Sequence, residues 1–409
     1  MPLETTSGDA APPLAGIVVV DLTQIYNGPY ATFLLAQAGA TIVKVEPPGG
    51  EHLRRRVASD GVTEPFAMLN PNKQSIEIDL KAPAGRALLL RLVATADVIV
   101  ENFAPGVMER LGLGEAALRD ANPTLVIASG SGYGSTGPYR NYPAMDVTMQ
   151  AMSGVISVTG HPDEPPVKAG PAVCDFFGGI HLYGAIVTAL YKRATTGAGT
   201  TVEVSMMASV FPSLLSNLGM VDEHGTTTRR TGNRHGGLTM APYNVYPTAD
   251  GAIAILSVDE YHWQAIARML GHDEWLRDPR FTTKVERIAN MDALDAAIGE
   301  ATRHEAKAAL FARLVEARVP CAPVRELPEV IHDEHLHATG MLRWVDHPTF
   351  GRILAHGSPL VFKDVAVPPY RPSAELGSDT HAILHERLGL DAAGVAALVD
   401  AGALPRPLP

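Results

Sequence analysis

The chain has 409 residues, 46% hydrophobic and 19% charged, and its 33 basic against 44 acidic side chains leave a net charge of −11. This is the composition of an ordinary globular protein too long for one small core, and the acidic balance argues against a general nucleic-acid binder. Two cysteines far apart, Cys174 and Cys321, form neither a disulfide framework nor a metal motif, which suits a reducing cytoplasm.

The N-terminus MPLETTSGDAAPP has an early Glu4 and no apolar centre, so it reads as a loose tail and not as a signal peptide. IVVVDL (17–22) reads as a buried strand, and Gly28-Pro29 opens the helical stretch YATFLLAQAG. TIVKVE (41–46) and SIEIDL (75–80) are further strands, and Pro83 opens an amphipathic helix through Ala94. DVIVEN and TLVIASG are two more short apolar strands. Strand–helix alternation predicts an α/β fold with a mostly parallel sheet covered on both faces. No apolar run reaches the roughly 18 residues that a membrane helix needs.

The segment VKAGPAVCDFFGGIHLYGAIVTALYKR places one carboxylate, Asp175, after a loop and just before Gly178, Gly179 and a long apolar helix. Asp is a favoured helix N-cap, and the glycines allow close packing. A carboxylate at the positive end of a helix, beside bare backbone, is also placed for chemistry.

From about Val221 the texture changes. HGTTTRRTGNRHGGLTMAP is polar, basic and glycine-rich and reads as a loop. The strand-like NVYPT and AIAILSV and the helical MDALDAAIGEATRHEAKAALFARLVEA predict a smaller α+β domain over 225–325, which VPCAPV leads out of. GSPLVF and two short helices in SDTHAILHERLGLDAAGVAALVDAGAL end the chain.

Some patterns are decoys. The G-x-G-x-x-G match at 132–137 should run into a helix, but Pro138 and Pro143 block one. His332, His335 and His337 lack the helical spacing of a metal pair, so no metal site is expected. No G-x-S-x-G elbow marks a hydrolase serine.

Several separated segments then agree, in order. DLTQIYNGPYATFLLAQAGATIVKVEPPGG, FAMLNPNKQSIEIDL, VIVENFAPGVMERLGL, the Asp175 segment, VPCAPV and GSPL resemble the family III CoA-transferases, the group of formyl-CoA transferase and carnitine CoA-transferase. The resemblance covers most of the chain. It implies a large Rossmann-like, CoA-binding domain (1–220 and 330–409), a small domain (225–325) inserted by linkers, and an interlocked homodimer. It implies an acyl-CoA donor and a carboxylic acid acceptor, with CoA thioester as substrate and no tightly bound cofactor.

By the same resemblance the catalytic aspartate is Asp175, and CoA contacts come from Tyr26, Asn27, Leu69, Asn70, Asn72, Lys73, Asn102, Phe103 and Arg110. Asp146 matches an acidic residue near the active site, and Gly236 and Gly237 match a glycine-rich lid. Amides at Phe176 to Gly179 are expected oxyanion donors. Two departures stand out: Pro47 and Pro143 replace an arginine and a lysine that bind CoA in formyl-CoA transferase. Arg54, Arg55 and Arg56 lie close enough in sequence to substitute. The basic loop with Arg229, Arg230, Arg234 and His235 reads as a solvated loop or as the site for an acceptor with a second carboxylate, with Arg234 as its anchor.

The strongest alternative is an α-methylacyl-CoA racemase, which shares the fold. It needs two bases about the α-carbon, and racemases pair the aspartate with a His-Asp dipeptide. Here that dipeptide is Met145-Asp146, and a thioether takes no proton. A non-catalytic CoA-binding protein is the other alternative, and the intact Asp175 segment speaks against it.

Overall fold

The computed structural model describes residues 10–56, 64–221, 225 and 230–406. Most of the N-terminal tail and Arg229 of the basic loop lie outside the described residues. Contacts divide the chain into two units: Met1–Met149, Pro171–Val210 and Asp333–Pro409 form one, and Gln150–Gly170 with Phe211–His332 form the other. The expected boundaries kept 150–170 and 211–220 with the large domain, whereas their contacts assign both stretches to the second unit.

The first unit is built on six parallel strands: β1 (Val18–Asp21), β2 (Thr41–Glu46), β3 (Lys73–Glu77), β4 (Val98–Glu101), β5 (Val126–Ser131) and β6 (Thr200–Ser205). Their spatial order is β3-β2-β1-β4-β5-β6. Val18 pairs with Thr41 on one side of β1, and Val19 with Val98 on the other. The apolar runs belong to strands buried on both faces. Alternate residues divide the core. Val18, Val20, Val43, Ile76, Ile99 and Ile127 face one layer, which includes Leu88 and Leu89 of a helix at Pro83–Val93 and Ile383 and Leu384 near the C-terminus. Val19, Ile42, Val98, Val100 and Val126 face the other.

Three helices matter below: α1 (Asn27–Gln37), α2 (Asp146–Ser153) and α3 (Val173–Thr196). With 24 residues, α3 is long and apolar enough to cross a membrane by length and composition, which corrects the expectation that no such segment exists. Its Leu182, Ile186, Ala189 and Leu190 pack instead into the sheet's second layer. Gly178 and Gly179 permit that packing. A Cβ on Gly178 would lie 2.1 Å from Asn27 Nδ2, and one on Gly179 would lie 2.6 Å from the Asn27 carbonyl oxygen.

The second unit carries an antiparallel sheet of Tyr243–Thr248, Gly251–Leu256 and Cys321–Pro323 around a core of Trp263, Phe281, Leu294, Ile298, Leu310 and Leu314. The VPCAPV segment thus adds a strand to the small sheet, where the sequence reading had it lead the chain away. The first unit also contains a hairpin, Leu342–His347 with Gly351–His356, that sequence reading missed.

Candidate active site

The strand order reverses between β1 and β4, and in open parallel sheets ligands bind outside the carboxyl ends of strands at such a point. The chain places a cavity of about 880 Å³ there. Gln24, Ile25 and Asn27 follow β1, Asn102 to Pro105 follow β4, and Gly130 to Tyr133 end β5; all line it. The β5 loop doubles back because residue 132 is glycine: a Cβ there would lie 2.1 Å from the Cβ of Ala144. That return brings Tyr142 to Met145 into the same wall.

Asp175 lines this cavity and is 7% exposed. It is the third residue of α3 and not its cap, which corrects the N-cap reading. The capping group is Asp146, at the start of α2. Its Oδ1 accepts hydrogen bonds from the amides of Cys174 (2.8 Å) and Asp175 (3.2 Å). The amide of Val173 donates to the carbonyl of Pro171, and that of Phe176 to Ala172. Phe177 to Gly179 lie within the helix, where amides bond four residues back. The amides expected as oxyanion donors are therefore spent inside α3.

Electrostatics follow from this arrangement. Burial and the neighbouring Asp146 carboxylate push the Asp175 carboxyl up to about 7. Burial also pushes the adjacent Cys174 thiol up to about 12, so it stays protonated and is no competing nucleophile. Asn27 Nδ2 donates to the Asp175 carbonyl at 3.2 Å and ties α1 to the first turn of α3.

Of the expected CoA contacts, Asn27, Asn102 and Phe103 line the cavity. The others do not. Tyr26 is half-buried and stacks on Phe176 with centroids 6.1 Å apart. Leu69 is core, packed with Leu53 and Phe66. Asn70 accepts from Lys73 Nζ at 2.8 Å, and Lys73 also pairs with Asp21 at 3.3 Å. Asn72 holds the C-terminal segment, donating to the Pro369 carbonyl and accepting from the Arg371 amide. Arg110 is exposed at the end of a short turn of helix and does not line the cavity. A loop of Asn and Lys residues reads the same in sequence whether it faces a ligand or, as here, closes on its own core.

Arg234, Gly236 and Gly237 belong to the second unit. Arg234 forks onto Asp292 and Asp295, each at 2.7 Å, so its charge is already answered. The Gly237 amide donates to His235 Nδ1 at 3.1 Å. Sequence reading missed Gln24, His52, Tyr133, Arg140 and Met206 as cavity residues and left Arg54, Arg55 and Arg56 open. The structure divides those three: Arg55 and Arg56 line the cavity, while Arg54 pairs with Glu46.

The chain is similar to known proteins along most of its length. The family model of CoA-transferase family III matches residues 14–380. The acetyl-CoA:oxalate CoA-transferase of Acetobacter aceti is 36% identical over 374 residues, covering 91% of this chain and 94% of that protein. The succinyl-CoA:mesaconate CoA-transferase of Haloarcula marismortui is 35% identical, covering 86% and 90%. The crystal structure of a CAIB/BAIF family protein from Brucella suis superposes with a TM-score of 0.81 at 32% identity, covering 92% of this chain and all of that one.

Proposed function

The chain belongs to CoA-transferase family III, and from that premise we propose that it moves CoA between carboxylic acids by covalent catalysis on Asp175. The observation that carries this reading is a buried carboxyl, without a cationic partner among the described residues, on a cavity large enough for a CoA thioester.

The Asp175 carboxylate attacks the thioester carbonyl of the donor; the C–S bond breaks, leaving an aspartyl–acyl anhydride and CoA thiolate. The thiolate attacks the aspartyl carbonyl, the anhydride C–O bond breaks, and the donor acid leaves. An aspartyl–CoA thioester remains. The acceptor carboxylate attacks that thioester and expels the thiolate, which then attacks the acceptor's acyl carbonyl and restores Asp175. No proton is gained or lost overall. Burial protects the anhydride from water and raises the basicity of the attacking oxygen.

Racemisation is less well supported. Met145 lines the cavity next to Asp146 and offers no base, and the Asp146 Oδ1 is engaged by two amides. The discriminating experiment incubates the protein in D₂O with acyl-CoAs and free acids and reads the esters by mass spectrometry. A new acyl-CoA without α-deuterium is expected, with a CoA adduct on the peptide that contains Asp175. Deuterium gained by an unchanged, branched acyl-CoA would overturn the assignment.

We also read the functional form as an interlocked homodimer. Phe177, Ile180 and Tyr191 leave large apolar side chains of α3 exposed, Tyr191 by 73%, and exposed apolar surface of this kind marks protein interfaces. Light scattering on the purified chain is expected to give twice the monomer mass.

A further inference from the structure

The expected phosphate contacts are absent from the cavity: Lys73 is consumed in the core, Arg110 lies outside, and Pro47 and Pro143 carry no donor. CoA brings a pyrophosphate and a 3′-phosphate, and Arg and Lys side chains bind such groups strongly. Four basic side chains line the cavity, from two separate stretches: His52, Arg55, Arg56 and Arg140. Among the described residues none of the four has an ion-pair partner, in a chain whose net charge is −11. A bare cationic cluster is unfavourable by self-repulsion unless an anion comes to it.

The local fold explains why these arginines are available and Arg54 is not. Glu51 caps the turn His52–Arg55, accepting from the Leu53 amide at 2.6 Å, and Leu53 is fully buried. The turn is therefore fixed in rotation. Arg54 falls on its inner side, where it forks onto Glu46 at 2.9 and 2.8 Å and covers the Phe66 ring at 4.0 Å. His52, Arg55 and Arg56 are left exposed toward the cavity.

We propose that Arg55, Arg56 and Arg140, assisted by His52, hold the phosphate groups of the CoA thioester in place of Lys73 and Arg110. The inference rests on the CoA-transferase reading above. The planar guanidinium fork matches phosphate oxygens in pairs, which a lysine does not. Recognition thus depends on two short stretches, one following β2 and one following β5.

Isothermal titration of the full chain with CoA, 3′-dephospho-CoA and pantetheine tests this without any turnover. Wild type is expected to bind CoA more tightly than pantetheine by about 10²-fold or more. The double variant Arg55→Ala/Arg56→Ala should weaken CoA by about 10–100-fold and leave pantetheine unchanged, because charged hydrogen bonds are lost only to the phosphates. Arg140→Ala should weaken CoA by about 10-fold. Lysine at 55 and 56 should restore part of the loss. Thermal unfolding at the wild-type temperature confirms that each variant is folded. If the double variant binds CoA as wild type does, or if Arg110→Ala carries the loss instead, the proposal is wrong. If wild type binds none of the three probes, it is the transferase reading that fails.

Discussion

Two buried carboxylates near the carboxyl edge of the same sheet meet opposite fates. Asp21 ends β1 and is fully enclosed. Burial alone would raise its carboxyl, but the Lys73 and Lys44 charges and hydrogen bonds from Thr23 and Thr32 hold it below its ordinary value. Its Oδ2 accepts from Thr32 at 2.7 Å and pairs with Lys73 at 3.3 Å; its Oδ1 accepts from the Thr23 amide at 2.8 Å. Asp175 is almost as buried, yet its nearest charge is another carboxylate, and it rises to about 7. Burial with an opposite charge makes a structural element. Burial with a like charge keeps a carboxyl basic and reactive. The sign of the neighbour, more than the depth, separates framework from chemistry.

The sharpest way to break this comparison is to delete Asp175 and, in turn, Lys73, the cationic partner of Asp21. Asp175→Ala should abolish CoA transfer, by about 10³-fold or more, since the covalent route has no other nucleophile. Its unfolding temperature should not fall. Transfer at wild-type rate would sink the mechanism. Lys73→Ala should do the reverse. It leaves Asp21 buried without its partner, at a cost of about 3–5 kcal/mol in unfolding free energy measured by denaturant titration. If Lys73→Ala were instead stable and only weakened CoA, Lys73 would be a ligand contact after all.

The same comparison shows what sequence can reveal. Five of the six parallel strands were legible, because a parallel sheet buried on both faces writes continuous apolar runs such as Val18–Asp21. The sixth, Thr200–Ser205, alternates exposed and half-buried positions at the sheet edge and has no such run. Gly178 and Gly179 drew the eye to Asp175, and α1 requires them for close packing, but the role proposed for that carboxyl came from the resemblance. The fate of Lys73 and Arg54 was not legible. Each sits in a polar stretch that a ligand or a buried acid would explain equally, and the deciding acids, Asp21 and Glu46, are 52 and 8 residues away. Side-chain pairing across such distances leaves no local pattern.

A smaller effect sharpens the account of Asp175. Asp146→Asn keeps an oxygen that can cap α3 but removes the like charge. The Asp175 carboxyl should then ionise at lower pH, and the acid limb of kcat/KM should move down by about 1 pH unit. Asp146→Ala should shift the limb as well and also cost about 1 kcal/mol of stability through the lost cap. An unmoved limb in Asp146→Asn would mean that burial alone sets the reactivity of Asp175.

The smallest expected effect is thermodynamic. The ordinary aspartate value is 3.8, and in the fold Asp175 is raised to about 7. Between those values the folded chain binds a proton that the unfolded chain does not, so this group's contribution to stability is full below about 4 and is lost as pH rises through 7. Asparagine mimics the protonated form and does not titrate. Asp175→Asn should therefore match wild type near pH 4 and unfold a few degrees higher at pH 8, with the difference opening between those limits. A calorimetric series without CoA measures it. A difference independent of pH would show that a cation neutralises Asp175 in the folded chain, and the contrast with Asp21 would disappear.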